Sequence, residues 1–388
     1  MGYDRLSRKI VYITGTRADY GLMRDVLKSI QSSPDLDLEI IVTGMHLLEE
    51  FGHTIDEIEQ DGFKIHEVSS TYEQDDKKSM AVFVGDFIKK LSVKAEEIDP
   101  DFILLLGDRG EMLGGAIVGC YLSIPNVHLH GGEITSTVDE MARHAITKLS
   151  NLHLPANKKS AERIKKMGED PRNIHVVGAP GLDSILHEKR LPKNVLSKKY
   201  SIDFSMPLIL VVQHPVTMEV NRATEQIRTT LEVIKKLGCQ TILVYPNADA
   251  GGRKMIKEIK KYEDLSFLST YKNIPRKDYI SLLSNSDVLV GNSSSGIIEA
   301  PSLGLPVVNI GTRQRGRERA DNVIDVDYDQ REIKEAIERC LFDDKFKKNI
   351  KDIDNPYGDG KTAYRVTNIL SNVKINEELL QKKLMFIQ

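Results

Sequence analysis

The sequence predicts an α/β protein with two doubly wound parallel sheets, and three observations predict this class. The chain has 388 residues, which is too long for one ordinary core and fits two domains of about 150–200 residues. Short apolar runs rich in β-branched residues alternate with longer helical patterns, as they do in βαβ units. Continuous runs such as Ile103–Leu106 suit strands that helices cover on both faces. We therefore expect two such domains.

The first domain is expected to span residues 1–180, with strands of four to six residues separated by amphipathic helices. The predicted strands are Ile10–Thr14, Leu38–Val42, Phe63–Val68, Phe102–Leu106, Asn126–Leu129 and Ile174–Val177. The predicted helices are Leu22–Ser32, Met80–Ile98, Met112–Tyr121, Glu140–Leu149 and Lys158–Met167. The segment Gly178–Tyr200 then breaks the rhythm with glycine, proline and charged residues, which is typical of a hinge between domains.

The second domain is expected to span residues 181–364 and to repeat the pattern. Its predicted strands are Leu208–Val212, Thr241–Tyr245, Val288–Val290, Pro306–Ile310 and Val323–Val326. Its predicted helices are Ala223–Leu237, Gly252–Lys261, Arg276–Ser284, Ile297–Leu303 and Gln330–Phe342. The tail is also helical in pattern, and we expect residues 365–388 to pack back on the first domain.

Composition and charge exclude several classes of protein. The formal net charge of −3 provides no overall basic field for nucleic acid or an anionic membrane. The cysteines Cys120, Cys239 and Cys340 lack C-x-x-C spacing, which favours reduced thiols. The first nine residues lack the apolar region of a signal peptide, and no run approaches the length of a membrane span. We therefore expect a cytoplasmic protein.

Polar residues follow the predicted strands of the first domain, where doubly wound sheets bind their ligands. Arg17 and Asp19 follow the first strand in a glycine-containing turn that suits an anion, although a surface Arg–Asp pair would give the same pattern. Asp108 and Arg109 follow the buried fourth strand. Asp108 is there either an ionisable site residue or a helix N-cap.

The fifth strand leads into the segment His130-Gly131-Gly132-Glu133, whose glycines let a sugar ring approach the backbone. Asp139, Glu140, Arg143 and His144 come next, and their i,i+4 pairs are either functional or ordinary ion pairs on a helix surface. The mixture of histidines and carboxylates would permit zinc. However, no His-Glu-x-x-His or cysteine pair supports a metal, and we predict none.

The second domain carries the strongest local signal, Gly291-Asn292-Ser293-Ser294-Ser295-Gly296, between a strand and a helix. Its hydroxyls and its helix N-terminus suit a diphosphate, and Glu299 on the same helix face suits a ribose diol. The alternative is a serine-rich N-cap beside a surface glutamate. Three other strand ends supply further candidates, which are His214, Asn247, Asp249 and Arg313. No Walker or Gly-x-Gly-x-x-Gly motif is present, so ATP and NAD are poorly supported.

Taken together, these segments resemble the UDP-N-acetylglucosamine 2-epimerases from Lys9 to about Asn368. The motifs that carry the resemblance are GTRADYG, GDR, HGGE, DExxRHAITKLS, HPVT, PNADAGG, GNSSSGIIEA and GTRQRGRE. The resemblance implies two Rossmann-like domains that face each other across a cleft, as in the glycosyltransferase-B type, and a homodimer or homotetramer. Arg17-Ala18-Asp19 and the HGGE segment resemble the hydrolysing branch, which releases UDP and free N-acetylmannosamine on the route to sialic acids.

The reaction implied by the resemblance is anti elimination of UDP to a glycal, followed by addition of water and reprotonation at C2. It needs no metal and no redox cofactor. Asp108, Glu133 and Asp139 are the acid–base candidates, with His130 and His144 beside them. His130 departs from relatives that carry glutamate there, so Glu133 is expected to share that role. The expected diphosphate ligands are Arg17, His214, Ser293, Ser294 and Arg313, with Asn273 near the uracil and Asn247 or Asp249 at the floor.

Four alternatives stay open at this point. The substrate is either UDP-N-acetylglucosamine or UDP-N,N'-diacetylbacillosamine, its 4-acetamido-6-deoxy analogue on the route to legionaminic acid. A non-hydrolysing epimerase would instead keep UDP attached to the product. A glycosyltransferase of the same architecture would require an acceptor. A nucleotide-sugar sensor would perform no chemistry, but it would not need so many ionisable residues at strand ends.

Overall fold

The structure is a computed structural model that describes residues 7–48, 54–70, 77–134, 139–246 and 251–385. Its internal contacts divide the chain into two units. Unit 1 comprises residues 1–133, 138–184 and 357–388, and unit 2 comprises residues 134–137 and 185–356. Each unit contains one sheet of six parallel strands.

The sheet of unit 1 has the strand order β3-β2-β1-β4-β5-β6. Its strands are β1 (Arg8–Thr14), β2 (Leu36–Val42), β3 (Lys64–Glu67), β4 (Phe102–Leu106), β5 (Asn126–Leu129) and β6 (Leu152–Leu154). The helices between them are α1 (Arg17–Gln31), α2 (Ile55–Gln60), α3 (Lys77–Ile98), α4 (Gly110–Leu122) and α5 (Asp139–Leu149). After β6 come α6 (Lys158–Lys166), α7 (Gly181–His187) and α8 (Lys193–Tyr200), the last of which belongs to unit 2.

The sheet of unit 2 repeats this arrangement in the order β12-β11-β10-β7-β8-β9. Its strands are β7 (Leu208–Val212), β8 (Gln240–Val244), β9 (Leu268–Tyr271), β10 (Val288–Gly291), β11 (Val307–Ile310) and β12 (Val323–Val326). Its further helices are α9 (Ala223–Leu237), α10 (Gly252–Ile259), α11 (Arg276–Asn285), α12 (Ser294–Ile298), α13 (Gln330–Phe342) and α14 (Asp344–Ile350). The chain ends in unit 1 with α15 (Thr362–Asn372) and α16 (Glu377–Leu380).

Alternating side chains of each central strand supply two separate cores. In β1, Ile10 and Tyr12 join one apolar cluster, whereas Val11 and Ile13 join another. This division follows from the period of two along a strand, which sends successive side chains to opposite faces. The continuous apolar runs therefore mark sheets with helices on both faces, and the prediction of two doubly wound domains is confirmed.

Most predicted strands are present, but the last one predicted for the first domain is wrong. Ile174 forms only an isolated bridge to His153, and no strand covers Ile174–Val177. The strands β6 and β9 were not predicted, because they are short and contain His153 or the polar pair Ser269–Thr270. None of the helices in the described residues is long and apolar enough to cross a membrane.

One helical prediction also needs correction. The predicted helix Ile297–Leu303 is instead α12 followed by a 3₁₀ turn at Ala300–Leu303. Pro301 lacks an amide donor and cannot continue an α-helix, so the chain tightens there. The predicted hinge Gly178–Tyr200 contains the boundary between the two units, at Ser184 and Ile185, and is largely helical because it includes α7 and α8.

The strand order places one crevice in each sheet. In the sheet of unit 1 the strand order runs outward from β1 to β3 on one side and from β4 to β6 on the other, so the order reverses between β1 and β4. In the sheet of unit 2 the order reverses in the same way between β7 and β10. Ligands of open α/β sheets bind outside the carboxyl ends of the strands at this point. The loops that follow β1, β4 and β5, and those that follow β7, β10 and β11, are therefore the places to look for a site.

The C-terminal segment is fastened to unit 1 by a buried ion cluster. The Lys382 ammonium donates to the carbonyls of Thr147, Lys148 and Ser150 at 2.7–3.0 Å. It also pairs with Glu169 at 2.5 Å. Burial alone would raise the pKa of Glu169, but hydrogen bonds from its histidine and lysine partners lower it to about 2. The cluster thus caps the last turn of α5.

Replacing Lys382 by methionine is expected to lower the free energy of unfolding by about 1–3 kcal/mol. The substitution leaves three carbonyls and one carboxylate oxygen without this donor in a site that water reaches poorly. Urea unfolding followed by circular dichroism measures the change. Lys383→Met is the matched control, because Lys383 is exposed and adjacent. Equal losses in the two variants would show that the cluster contributes nothing specific.

Candidate functional site

The carboxylate of Asp19 closes the N-terminal end of α1 and shapes the turn after β1. It accepts hydrogen bonds from the Thr14 hydroxyl and from the amides of Gly15 at 3.2 Å and Thr16 at 3.1 Å. The Thr16 hydroxyl in turn accepts from the Asp19 amide, which completes a capping box. Burial raises the pKa of Asp19 to about 6. The oxygens of Asp19 are therefore engaged by the turn itself.

The two arginines of this region are held by glutamates. Arg17 pairs with Glu57, with Nη2 to Oε1 at 2.8 Å, and both side chains are partly exposed. Arg109 pairs with Glu111 at 3.2 Å, and the Glu111 side chain is fully buried. A Cβ on Gly15 would lie 2.4 Å from the Glu111 carboxylate, so a larger residue in the turn after β1 would displace the Glu111 side chain. Glu111 was not among the predicted site residues, although it stands two positions after Arg109.

A buried cluster of four ionisable residues lies at the carboxyl ends of β4 and β5. Arg143 of α5 donates to Asp108, and its Nη1 lies 3.8 Å from the Oε2 of Glu133. The other Glu133 oxygen accepts from His130 Nδ1 at 2.8 Å. Glu133 is 3% and Arg143 is 4% exposed, so these charges are largely removed from water. The structure therefore brings three predicted site residues together around Arg143, which the sequence left open as either functional or a partner in a surface ion pair.

Two features of this cluster suit a ligand. The Nε and Nη1 of Arg143 are buried and form no hydrogen bond with the described residues, which is unusual for buried donors. His130 adopts a left-handed backbone conformation with φ of +59°. Such conformations of non-glycine residues concentrate at functional sites. The alternative that Arg143 is merely a surface partner on its helix does not fit its burial.

The buried His128 connects this cluster to α5. Its Nε2 lies 2.7 Å from the carbonyl of Gly107, which can only accept, so Nε2 carries the proton. Its Nδ1 then accepts from the Thr147 hydroxyl at 3.1 Å. Burial lowers the pKa of His128 to about 3, so the ring is neutral near pH 7. His128 thus fixes the loop that carries Asp108 against α5.

The remaining candidates of unit 1 are His144 and Asp139, both of α5. The Nε2 of His144 lies 3.4 Å from the Oε1 of Glu140, and both side chains are partly exposed. This is the i,i+4 contact that the sequence left open, and the Nδ1 of His144 is buried without a hydrogen-bond partner among the described residues. Asp139 is the first residue of α5, but its side chain lies outside the described residues.

His128 makes the stability of unit 1 depend on pH. Above about pH 6.5 the His128 ring is unprotonated in both the folded and the unfolded chain. Below that pH the ring binds a proton in the unfolded chain, whereas in the folded chain it stays unprotonated down to about pH 3. Stability therefore falls with decreasing pH by up to about 1.4 kcal/mol per unit. His128→Gln is therefore expected to lower the free energy of unfolding by about 1 kcal/mol less at pH 5.5 than at pH 7.5.

Urea unfolding of both proteins at the two pH values measures this difference. His187→Gln is the control, because His187 is exposed and its substitution removes a histidine without removing a buried ring. A His128→Gln penalty that is the same at both pH values would contradict the prediction.

In unit 2, loops from three adjacent strands meet at Asn292. Asn292 follows β10, and its carboxamide binds the main chain of His214 after β7. Its carbonyl accepts from Arg313 Nη1 at 3.2 Å, and Arg313 follows β11. Ser293 caps α12 by accepting from the Ser295 amide at 3.3 Å. Burial and, to a smaller extent, Arg313 lower the pKa of His214 to about 3, so a neutral imidazole stands here.

Glu299 lies one turn beyond the serines and is 4% exposed. Its Oε1 accepts from Arg276 Nη2 at 2.9 Å. Its Oε2 is buried without a hydrogen-bond partner among the described residues. A buried carboxylate oxygen in this state can accept a hydroxyl from a ligand. The alternative of a surface glutamate is therefore wrong.

Other candidates of unit 2 are less engaged. Ser294 is the partly buried first residue of α12, and Asn273 is exposed in the loop after β9. Asn247 and Asp249 lie outside the described residues. Among the residues that the structure does describe, no group of three or more histidine, cysteine, aspartate or glutamate side chains is arranged to hold a metal ion.

Comparisons with solved structures confirm the predicted glycosyltransferase-B type of fold. A UDP-GlcNAc 2-epimerase from Neisseria meningitidis, solved with UDP-GlcNAc, superposes with a TM-score of 0.81 at 19% identity, covering 93% of this chain and 99% of its own. The enzyme from Methanocaldococcus jannaschii, solved with UDP-GlcNAc and UDP, gives a TM-score of 0.77 at 18% identity. It covers 94% of this chain and 99% of its own.

Two curated relatives match nearly the whole chain. The UDP-N,N'-diacetylbacillosamine 2-epimerase (hydrolyzing) of Legionella pneumophila is 44% identical over 97% of this chain and 98% of its own length. The UDP-N-acetylglucosamine 2-epimerase of Neisseria meningitidis is 33% identical over 97% and 98%. A family model described as UDP-N-acetylglucosamine 2-epimerase also matches residues 28–371. With its two doubly wound sheets and the polar residues at their strand ends, the chain belongs to the UDP-N-acetylglucosamine 2-epimerase family.

Proposed function

We propose that this chain is a hydrolysing 2-epimerase that converts UDP-N,N'-diacetylbacillosamine and water into UDP and the free C2-epimeric sugar. The observation that carries the chemistry is the buried cluster of Asp108, Arg143, Glu133 and His130. It provides two carboxylates, one cation and one imidazole at adjacent strand ends. Acid–base chemistry at a carbon centre needs groups of this kind, positioned before the substrate arrives.

In the proposed reaction a base removes the proton from C2, and the electrons of that bond form a double bond between C1 and C2. The bond from C1 to the diphosphate oxygen breaks at the same time, so UDP leaves with its electrons. Water then adds at C1, and an acid returns a proton to C2 from the opposite face. Asp108, Glu133 and Asp139 are the proposed proton carriers, with His130 tuning Glu133 and His144 as a further candidate.

The residues of unit 2 are proposed to bind the leaving group. Ser293 and Ser294 stand at the N-terminus of α12, where amide dipoles favour negative charge, and Arg313 adds a cation. The free oxygen of Glu299 suits a ribose hydroxyl. His214, which is neutral near pH 7, would donate a hydrogen bond to the diphosphate rather than a charge. Arg17, Arg109, Asp19, Asn247, Asp249 and Asn273 remain proposed binding residues.

The identity of the sugar rests on the relatives. The 44% identity to the Legionella enzyme favours the diacetylated 6-deoxy sugar over N-acetylglucosamine, which the sequence analysis placed first. UDP-N-acetylglucosamine is the second candidate, because the Neisseria relative of that name is 33% identical over nearly the whole chain. The hydrolysing route, the location in the cytoplasm and a homo-oligomeric state are parts of the same proposal.

Proton NMR in D₂O, with each UDP sugar supplied separately, tests this function. We expect UDP and a free sugar deuterated at C2 from both substrates, with kcat/KM at least about tenfold higher for the diacetylated one, a difference of about 1.4 kcal/mol in transition-state binding. A higher kcat/KM for UDP-N-acetylglucosamine would assign the chain to the second candidate. An epimer that still carries UDP would place it in the non-hydrolysing branch. Absence of any reaction would favour a binding protein.

A further inference from the structure

We propose that Asn292 is a positioning residue that holds the diphosphate-binding loops of unit 2 in register. The inference rests on the proposed function, because it assumes that His214, Ser293 and Arg313 bind a diphosphate. None of the roles assigned above requires Asn292 itself to touch the ligand. Its role follows from five hydrogen bonds, of which one joins it to the end of β7 and four join it to the loops after β7 and β11.

The first three bonds extend the pairing of β7 with β10 beyond the end of β10. The last paired residues of these strands are Val212 and Gly291. The Asn292 amide still donates to the carbonyl of Val212 at 3.1 Å, after which the main chain turns into α12. Beyond this point the Asn292 carboxamide, rather than the main chain of β10, forms the hydrogen bonds to the segment after β7. Its Oδ1 accepts from the His214 amide at 2.7 Å, and its Nδ2 donates to the His214 carbonyl at 2.9 Å.

The other two bonds connect the loop that follows β11. The Asn292 carbonyl accepts from Arg313 Nη1 at 3.2 Å and from Gln314 Nε2 at 2.8 Å. Asn292 is 1% and Gln314 is 2% exposed, so these bonds form where water cannot replace them. One residue therefore sets the positions of three loops, each of which supplies a proposed diphosphate ligand.

Asparagine suits this position for a chemical reason. The His214 main chain presents a donor and an acceptor side by side, and only a carboxamide of this length offers the matching pair. Aspartate would place an oxygen against the His214 carbonyl and add a negative charge where a diphosphate is proposed to bind. Serine is too short to make both bonds, and alanine makes neither.

The matched control is Asn309, which pairs directly with Gly291 in the neighbouring strand. It is 2% exposed, and its carboxamide donates to Asp325 at 2.7 Å, with no bond to the three loops. Asn292→Ala and Asn309→Ala thus remove the same buried side chain one strand apart. The comparison separates loss of loop register from general loss of packing.

The experiment measures dissociation constants of the full chain for UDP by calorimetry and for uridine by ligand-observed NMR. We expect Asn292→Ala to weaken UDP binding about tenfold or more, because misplaced side chains contact the diphosphate poorly. Uridine binding should stay unchanged. Asn309→Ala should change neither. If Asn292→Ala does not fold, Asn292→Ser gives the same comparison, since it also loses the paired bonds.

The possible failures are distinguishable. A wild-type chain that does not bind UDP overturns the proposed function, and the inference falls with it. A wild-type chain that binds UDP, with equal affinity in Asn292→Ala, overturns the inference alone. Equal weakening of UDP and uridine by Asn292→Ala also overturns it, because the effect would then not be confined to the diphosphate loops.

Discussion

Replacing Asp108 by asparagine is expected to lower turnover by about 10²-fold or more while leaving the dissociation constant for UDP unchanged. Asparagine keeps the size of the side chain and one oxygen that can accept from Arg143. It removes the negative charge and the ability to take up a proton. Asp108 is a proposed proton carrier and not one of the proposed UDP ligands, most of which belong to unit 2, so product binding should not depend on it.

A coupled assay for released UDP measures turnover, and calorimetry measures UDP binding. Asp170→Asn is the control, because it makes the same substitution in another Asp–Arg pair of unit 1, with the exposed Arg172. Arg143→Met separates two explanations for a loss in Asp108→Asn. If Asp108 acts only by orienting Arg143, the two variants should lose activity equally. Near-normal turnover of Asp108→Asn would remove this residue from the mechanism.

Replacing Gly291 by alanine is expected to lower the free energy of unfolding by at least about 3 kcal/mol and to abolish UDP binding. Gly291 is the last residue of β10, and its φ of +130° is a conformation that other residues rarely adopt. A Cβ there would lie 2.2 Å from the carbonyl oxygen of Val212 in the adjacent strand. Because both partners are main chain in the centre of the sheet, neither can move aside easily.

Gly238→Ala is the matched control for this prediction. Gly238 also has a positive φ, of +62°, but a Cβ there would meet nothing within 4 Å. Gly238→Ala should lower the free energy of unfolding by only about 1–2 kcal/mol, the usual cost of the left-handed conformation. Urea unfolding of both variants isolates the contribution of the contact with Val212. Equal losses would show that close approach of the strands is not what requires glycine at position 291.

Much of the fold follows from local pattern. The apolar runs of β4, β7 and β10 identify these strands without any knowledge of the strands beside them. They are followed by Asp108, His214 and Asn292. Because parallel strands end at one edge of a sheet, the same pattern also indicates which loops gather there. The candidates His130, Glu133, Ser293 and Glu299 were identified in this way, by position after a strand and by residue type.

Other features could not be identified from local pattern. Arg143 is one of several charged residues on an amphipathic helix, and only the packing of α5 on the sheet turns it towards Asp108 and Glu133. The predicted strand at Ile174–Val177 failed for a related reason. A strand exists only where a neighbour accepts its hydrogen bonds, and a short apolar segment does not reveal whether one is present.

The sequence by itself determined the two doubly wound sheets, the family and the strand ends where chemistry is expected, because these depend on periodicity and on motifs contiguous in the chain. Only the tertiary structure decided that Asp19 is engaged by its own turn, that His144 contacts Glu140, and that Asn292 joins three loops. These outcomes depend on burial and on contacts between residues distant in sequence. Such contacts arise when helices and strands pack, and no local window of residues contains them.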